Sequence, residues 1–441
     1  DMVEITKMKA EKQKAEKEAF FCTTKELSRL GLEQIPTQFQ SHKHLIYSSP
    51  ATLAFNSPGA EGFGVKRAGL AVPDSIMLIV APGCCGRNTS LISSMKEYND
   101  RFYYLMMDET DIVTGRHLKK IPKAVEEICS VCPKKPSVVM ICITCVDALL
   151  GTDMERVCKK AEEQVEIPVR PCYMYALTRE GRKPPMVHVR QSLYSLLEPG
   201  KKKGNVVNLL GFFSPLVDDC EIYELLHSAG VKTIHEISRC KDYMEYQTMS
   251  EANFNLVLHH EARFAAEDFH NRLQIPFIEL RRLYQIDKIE NQYHALGNAL
   301  GVAFYDEKYK KQAEDALEKF RQKCPDASFA IGECLNADPF ELSLALIRYG
   351  FSVPEIYGTI TVENFTYIRS LAKISPETKV FSNMEPTMIY YDPVKSDVNL
   401  AIGKDACYYH PDCPYVMWNG EEQPYGYAGV RRLFEQLLEV V

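Results

Sequence analysis

From residue 75 onward the chain keeps returning to one pattern: a short apolar run of strand length, a turn, then an amphipathic stretch of helical length. The runs are 75–81 (SIMLIVA), 102–107 (FYYLMM), 137–143 (SVVMICI), 169–175 (VRPCYMY), 205–210 (NVVNLL), 233–237, 254–258 (FNLVL), 277–279, 328–331 (SFAI), 379–382 and 398–401 (VNLA). A strand that is apolar at successive positions is buried on both faces, and helical spacers between such strands indicate parallel sheets. The fold class is therefore α/β. Two linkers break the alternation, 198–204 (EPGKKKG) and 321–326 (RQKCPD), and each is followed by a strand, a small polar loop and a helix ending near glycine. The expected architecture is three Rossmann-like domains with mostly parallel sheets, at 51–203, 204–325 and 326–441. They follow an N-terminal extension, 1–50, whose first 20 residues read as an exposed charged helix. Residues 40–75, rich in Ser, Gly and Pro, read as irregular.

Composition excludes several function classes. With 46% hydrophobic and 25% charged residues the chain is an ordinary globular one, so wholesale disorder and fibrous repeats are out. A formal charge of −7 gives no support to nucleic-acid binding through broad charge. No run of about 18 apolar residues is long enough to cross a membrane. The Lys/Glu-rich stretch 7–17 is the opposite of a secretory signal, which points to a cytoplasmic protein. Fifteen cysteines, an odd number, argue against a disulfide framework in that compartment. Most such thiols are small buried hydrophobes, and a minority can be metal ligands.

Ligands of open α/β sheets bind at the carboxyl ends of strands, and two cysteine sites fall there. The run 75–81 leads into Pro82-Gly83-Cys84-Cys85-Gly86, and the run 137–143 leads into Thr144-Cys145, followed by Gly151-Thr152-Asp153. Flanking glycines let backbone approach a bulky inorganic ligand, and N–H groups at a helix start favour thiolate and sulfide. Thiolates in such settings hold iron–sulfur clusters. Buried packing is the competing reading for any one strand-end cysteine. The formal pair Cys129-x-x-Cys132 with Cys142-x-x-Cys145 suggests zinc, but its nine-residue spacing is short for a ribbon and Cys142 lies inside an apolar run. Cys407, His410 and Cys413 carry ligand types at i, i+3 and i+6 in a Pro- and Tyr-rich loop, which suits packing better than metal. No G-x-G-x-x-G or G-x-x-x-x-G-K-[ST] is present to cradle phosphate.

Taken together these segments resemble the nitrogenase component 1 superfamily, which includes nitrogenase-like reductases and cofactor scaffold proteins. Cys85-Gly86 and Thr144-Cys145, with cysteines 60 residues apart, resemble the family's Gly-Cys-Gly and Thr-Cys segments, and Gly151-Thr152-Asp153 its Gly-Asp-Asp-like turn. Ala252–Val257 followed by Ile275-Pro276-Phe277, the opening of the third unit, and Pro424–Gly429 before a helix are similar to family elements in the same order. The resemblance implies an iron–sulfur cluster near a subunit interface, an identical or homologous partner subunit, and electrons from an ATP-dependent reductase protein with its own [4Fe-4S] cluster. The family's first cluster cysteine has no counterpart in 55–60 (FNSPGA). Cys85 and Cys145 are thus the expected ligands, with Cys84 as a third, Cys22 or a partner chain as further sources, Gly86 and Gly151 lining the site, and [4Fe-4S] the expected nuclearity.

The resemblance also locates a cofactor position. His259 stands where nitrogenases place a cofactor cysteine, and Met417-Trp418-Asn419 stands where they place a histidine. Genuine dinitrogen reduction is not expected. His259 and Arg263 are the candidate catalytic residues, one for proton delivery or metal binding and the other for an anionic substrate; with His260 they also suit hydrogen bonding between domains. The expected function is a nitrogenase-like oxidoreductase subunit passing low-potential electrons to a substrate or cofactor in an inter-domain cavity. The alternatives are a metallocluster assembly scaffold without turnover and a Rossmann-type binding or transferase protein with structural cysteines.

Overall fold

The computed structural model describes residues 18–44, 48–52, 64–86, 92–174 and 182–441, without the side chain of Cys84. Most of the expected charged helix, residues 1–17, and the segment 55–60 lie outside the described residues. The chain divides into two compact units, one made of Asp1–Ser57, Val217–Ile222 and Arg282–Val441, the other of Pro58–Leu216 and Tyr223–Arg281. The strand β1 (Phe21–Thr23) belongs to the former.

The unit 58–281 carries two four-stranded sheets, every strand pair of which is parallel. The first is formed by β2 (Ile76–Ala81), β3 (Phe102–Met106), β4 (Val139–Ile143) and β5 (Val169–Tyr173) in the order β3-β2-β4-β5. The second is formed by β6 (Val206–Leu210), β7 (Thr233–His235), β8 (Phe254–Val257) and β9 (Phe277–Glu279) in the order β7-β6-β8-β9. All residues of β2, β4 and β6 are buried, as continuous apolar runs require. Met77, Ile79, Met140 and Cys142 point to one face of the first sheet and share a core with Leu210 and Val257 of the second. Leu78, Val80, Ile141 and Ile143 point to the other face, against the helices His117–Val131 and Met154–Val165. Each such side chain contributes about 1.5–3 kcal/mol of burial. With both faces apolar, hydrophobicity cannot fix register, and a polar contact does so in the second sheet. Asn208 and Asn255 are partners across β6 and β8, and Asn208 Nδ2 donates to Asn255 Oδ1 at 2.8 Å and to the Met249 carbonyl at 2.8 Å.

The other unit holds a six-stranded sheet in the order β1-β12-β11-β10-β13-β14, completed by β10 (Ser328–Ile331), β11 (Ser352–Tyr357), β12 (Lys379–Phe381), β13 (Leu400–Ile402) and β14 (Tyr415–Val416). All pairs are parallel except β1 with β12. The strands β1, β11 and β14 had no counterpart among the sequence expectations. In β11 the apolar run is broken by Pro354 and Glu355, and Glu355 is buried because His410 Nε2 lies 3.0 Å from its Oε2. Among the described residues no helix is long and apolar enough to cross a membrane.

Every sheet reverses its strand order once: between β2 and β4, between β6 and β8, and between β10 and β13. Loops leaving two such neighbours depart on opposite faces, which opens a crevice beyond their carboxyl ends. Those three edges are where chemistry can be placed.

Candidate functional site

Register sets the first edge. Val80 of β2 is the partner of Ile143 of β4, so Cys85 and Cys145 each follow the end of one of two paired strands. After β2, Pro82 leads into a single helical turn, Gly83–Gly86, in which the Cys85 amide donates to the Pro82 carbonyl at 3.0 Å. Cys85 is half-buried and packs on the face that carries Cys142 and Cys172. After β4, Thr144 stands at the N-cap position of the helix Cys145–Leu150 without a capping hydrogen bond from its side chain, with Cys145 half-buried at the helix start and Val146 packed on the opposite face of the sheet. Each cysteine thus lies a few residues beyond the carboxyl end of one of the two neighbouring strands. Gly151 ends that helix in the left-handed conformation (φ 65°), about 9 Å along the axis from Cys145, with nothing within 4 Å of where a side chain would start. Its observed role is helix termination. Gly86 closes the turn after Cys85. The side chain of Cys84 lies outside the described residues.

Beneath Cys145 sits a buried polar pair that sequence reading missed. His117 Nε2 lies 2.7 Å from Asp147 Oδ1, both side chains fully buried, and the other ring nitrogen lies 3.2 Å from the Asp111 carbonyl. Thr152 Oγ1 donates to the same Asp147 oxygen at 2.8 Å. Thr144 Oγ1 and Asp147 Oδ2 are buried with no hydrogen-bond partner among the described residues. The 30-residue separation of His117 and Asp147 gave no local signal, although an Asp two positions after Cys145 was visible.

The zinc pattern dissolves in three dimensions. Cys129 and Cys132 pack against one face of the first sheet, where Tyr103 Oη lies 3.2 Å from Cys132 Sγ, while Cys142 points to the other. Cys142 is the cross-strand partner of Cys172, and the two thiols are hydrogen-bonded. That bond and the nearby Lys66 draw the Cys142 thiol down, against the burial that opposes it, while the same bond and burial push the Cys172 thiol well up. Every cysteine whose side chain is described is a free thiol. In the loop 407–413, His410 turns to Glu355, Tyr391 and Tyr357, and Cys413 Sγ to the Val398 carbonyl, so no metal set forms there.

The second edge brings His259, His260 and Glu261 together after β8, with one potential ligand atom from each within 4.8 Å of the others. The His rings are stacked, 4.5 Å apart at 26°. The same groups are also hydrogen-bonded. His259 Nδ1 accepts from the Glu261 amide at 3.2 Å, and Arg190 Nη1 donates to Glu261 Oε2 at 2.8 Å. The buried Arg190 also donates to the Gly211 carbonyl after β6, at 3.0 Å from Nε, tying both sides of this edge together. Arg263 grips Glu279 with two hydrogen bonds of 2.8 Å, so its guanidinium fork is already matched to a carboxylate.

The third edge places two carboxyl groups across the strand reversal. Asp405, after β13, accepts from the amides of Glu333 (2.9 Å) and Cys334 (3.0 Å) and from Asn383 Nδ2 (2.8 Å). Glu333, after β10, accepts from Thr359 through one oxygen, while its other oxygen is buried without a partner among the described residues. Burial pushes Glu333 up to about 7, helped by the nearby Asp405, and burial raises Asp405 as well. Trp418 is buried in the left-handed region (φ 50°), with Nε1 donating to Tyr284 Oη at 2.7 Å.

Three mostly parallel sheets, each with a reversal and with thiols or polar groups beyond its strand ends, define a Rossmann-type α/β protein built around crevice sites. Residues 61–441 match the family described as nitrogenase component 1 type oxidoreductase, and the chain belongs to that family. It is 25% identical over 418 residues to the nitrogenase iron-molybdenum cofactor biosynthesis protein NifE of Sinorhizobium fredii, covering 88% of this chain and 82% of that protein. The protein of the same name from Nostoc sp. is 25% identical over 61% of this chain and 58% of its own length; that from Clostridium pasteurianum is 24% identical over 56% and 54%. A solved structure titled nitrogenase Cp1 at pH 6.5 superposes with a TM-score of 0.69 at 18% identity, covering 90% of this chain and 92% of that one, which supports the fold.

Proposed function

We propose that the protein is a subunit of a nitrogenase-like complex that holds an iron–sulfur cluster, [4Fe-4S] in nuclearity, through Cys85 and Cys145, completed by a partner subunit. The observation that supports this reading is the pairing of β2 with β4 at a strand reversal, because a cysteine follows the carboxyl end of each strand. The donor set fits the group. Thr144 Oγ1 is a buried hydroxyl without a partner among the described residues, next to Cys145, and a thiolate or sulfide is the acceptor such a hydroxyl lacks. When bound, the cluster would supply one-electron transfer at low potential. This chain's own residues would hold it, exclude water through the packed faces of the first sheet, and fix the Cys145 helix through the His117–Asp147 pair. Two thiols per chain suit a cluster shared with an identical or homologous subunit, and an ATP-dependent reductase protein is the proposed electron source. His259 is the proposed proton carrier at the second edge; Arg263 is proposed to position the strand end through Glu279.

A second reading is a scaffold that holds a metallocluster without turnover. The names of the three curated relatives above, each a cofactor biosynthesis protein, favour it, as does the lack of a histidine in 417–419 (MWN), where the family resemblance leads one to expect it. Continuous electron consumption with an ATP-dependent reductase separates the two: an enzyme sustains it, whereas a scaffold stops after one filling and passes on metal. In either case Cys85→Ser and Cys145→Ser should lose the brown colour and the cluster's EPR signal. If both variants keep them, the proposed ligand pair is wrong.

A further inference from the structure

We infer that Cys129 and Cys132 form a redox dithiol that exchanges with low-molecular-weight disulfides, closing to an internal disulfide as it gives up two electrons. The inference stands apart from the cluster-holding role proposed above. Cys129 lies in the last turn of the helix His117–Val131, and Cys132 is its C-cap, donating its amide to the Ile128 carbonyl at 3.0 Å. Because the helix runs up to Val131, these two residues stack one above the other, with Cα atoms about 5 Å apart. That falls within the roughly 4.4–6.8 Å that a disulfide spans. Both thiols are half-buried and pack on the same face of the first sheet. Neither is sealed in, since Ser130, Val131, Pro133, Lys134 and Lys135 around them are exposed.

The surroundings assign the two thiols different roles. Burial pushes the Cys129 thiol up, and the neighbouring Cys132 adds to this, against the pull of Lys135. Tyr103 Oη lies 3.2 Å from Cys132 Sγ, close enough to donate to that sulfur when it is a thiolate. Cys132 is therefore the attacking thiol and Cys129 the resolving one. As a thiolate, Cys132 attacks one sulfur of the small disulfide; the S–S bond breaks, and the departing thiolate takes up the proton that Cys132 released. Cys129 then attacks the Cys132 sulfur of the mixed disulfide, and its proton passes to the second departing thiolate. The protein dithiol is oxidised by two electrons and the small disulfide is reduced to two thiols. The negative end of the helix dipole disfavours thiolate here, and no basic residue in the last turn offsets it. A reduced state that gains little from thiolate leaves the closed disulfide favoured, so the pair is a reductant. The competing arrangement is two packing thiols that close the helix end and do not exchange.

The test is anaerobic equilibration of the full chain with 2-mercaptoethanol and 2-hydroxyethyl disulfide at set ratios, then acid quench, alkylation with iodoacetamide and tryptic mass mapping. Both cysteines fall in one tryptic peptide, 124–134 (AVEEICSVCPK). Closure therefore appears as an unalkylated peptide about 2 Da lighter than the dithiol. At equal thiol and disulfide, more than half of this peptide should be closed, and the share should rise with the disulfide. Cys129→Ser should hold a mixed disulfide on Cys132, whereas Cys132→Ser should leave Cys129 open to alkylation. A wild-type peptide alkylated at both cysteines at every ratio would overturn the inference and leave packing as their role. A wild-type mixed disulfide that persists without closing would overturn it as well. An adduct on Cys129 in Cys132→Ser, with none on Cys132 in Cys129→Ser, would overturn the assignment of attacking and resolving thiols.

Discussion

Replacing Asp147 tests how the Cys145 helix is held. The side chain accepts from His117 Nε2 at 2.7 Å and Thr152 Oγ1 at 2.8 Å through one oxygen, with no solvent access to either member of the pair. The other nitrogen of His117 lies 3.2 Å from the Asp111 carbonyl, so the ring is held at both nitrogens. Asp147→Ala leaves the ring buried without its anionic partner, which costs about 3–5 kcal/mol. Asp147→Asn keeps an acceptor for one donor and should cost about 1–3 kcal/mol. Urea unfolding, followed by a probe in the unit 58–281, reads the difference as a lower midpoint at unchanged slope. His117→Phe combined with Asp147→Ala removes both polar groups, so the double variant should be clearly more stable than the two single losses added together. Additive losses, or an Asp147→Ala loss below about 1 kcal/mol, would refute the account of this pair.

Two further perturbations follow from the unit that contains the six-stranded sheet. Burial pushes Glu341 up to about 7 despite the Tyr284 and Gln285 amides that donate to it, and Glu333 also up to about 7. Each neutral form is favoured in the folded state, so its stabilisation is full below pH 4.5 and is lost as pH rises through about 7, at about 3 kcal/mol for the fully buried Glu341. Thermal melts should therefore fall between pH 5 and pH 8, and Glu341→Gln should flatten that slope; an unchanged slope would contradict the assignment. Gly426, at φ 60°, lies where a side chain would run into the Glu221 carboxylate, so Gly426→Ala should cost about 3 kcal/mol or more by denaturant melts. A neutral substitution there would show that the contact yields easily.

How much of this was legible in the sequence depends on the reach of each interaction. Strands β2 and β4 are continuous apolar runs, and β6 and β10 each depart from one at a single polar residue, so local composition was enough to find them. Strand β11 was not, because Glu355 is tolerated inside it through Tyr357, Tyr391 and His410, the last two 36 and 55 residues away. Strand β1 adds three residues of an apparent extension to the far edge of a sheet formed mainly after residue 328. Cys85 and Cys145 stood out because the strand-to-turn transition at each is local. The Glu333–Asp405 pair, 72 residues apart, had no sequence signal at all. The first and second sheets also share one core, which the linker at 198–204 does not reveal.

The central claim is that two thiols at neighbouring strand ends hold an iron–sulfur group. Anaerobic purification followed by iron and sulfide analysis, with EPR of the dithionite-reduced protein, tests it most directly. The account predicts a brown protein with about four iron and four sulfide per pair of subunits and a reduced-cluster signal. A colourless protein that stays free of iron after anaerobic reconstitution would contradict it.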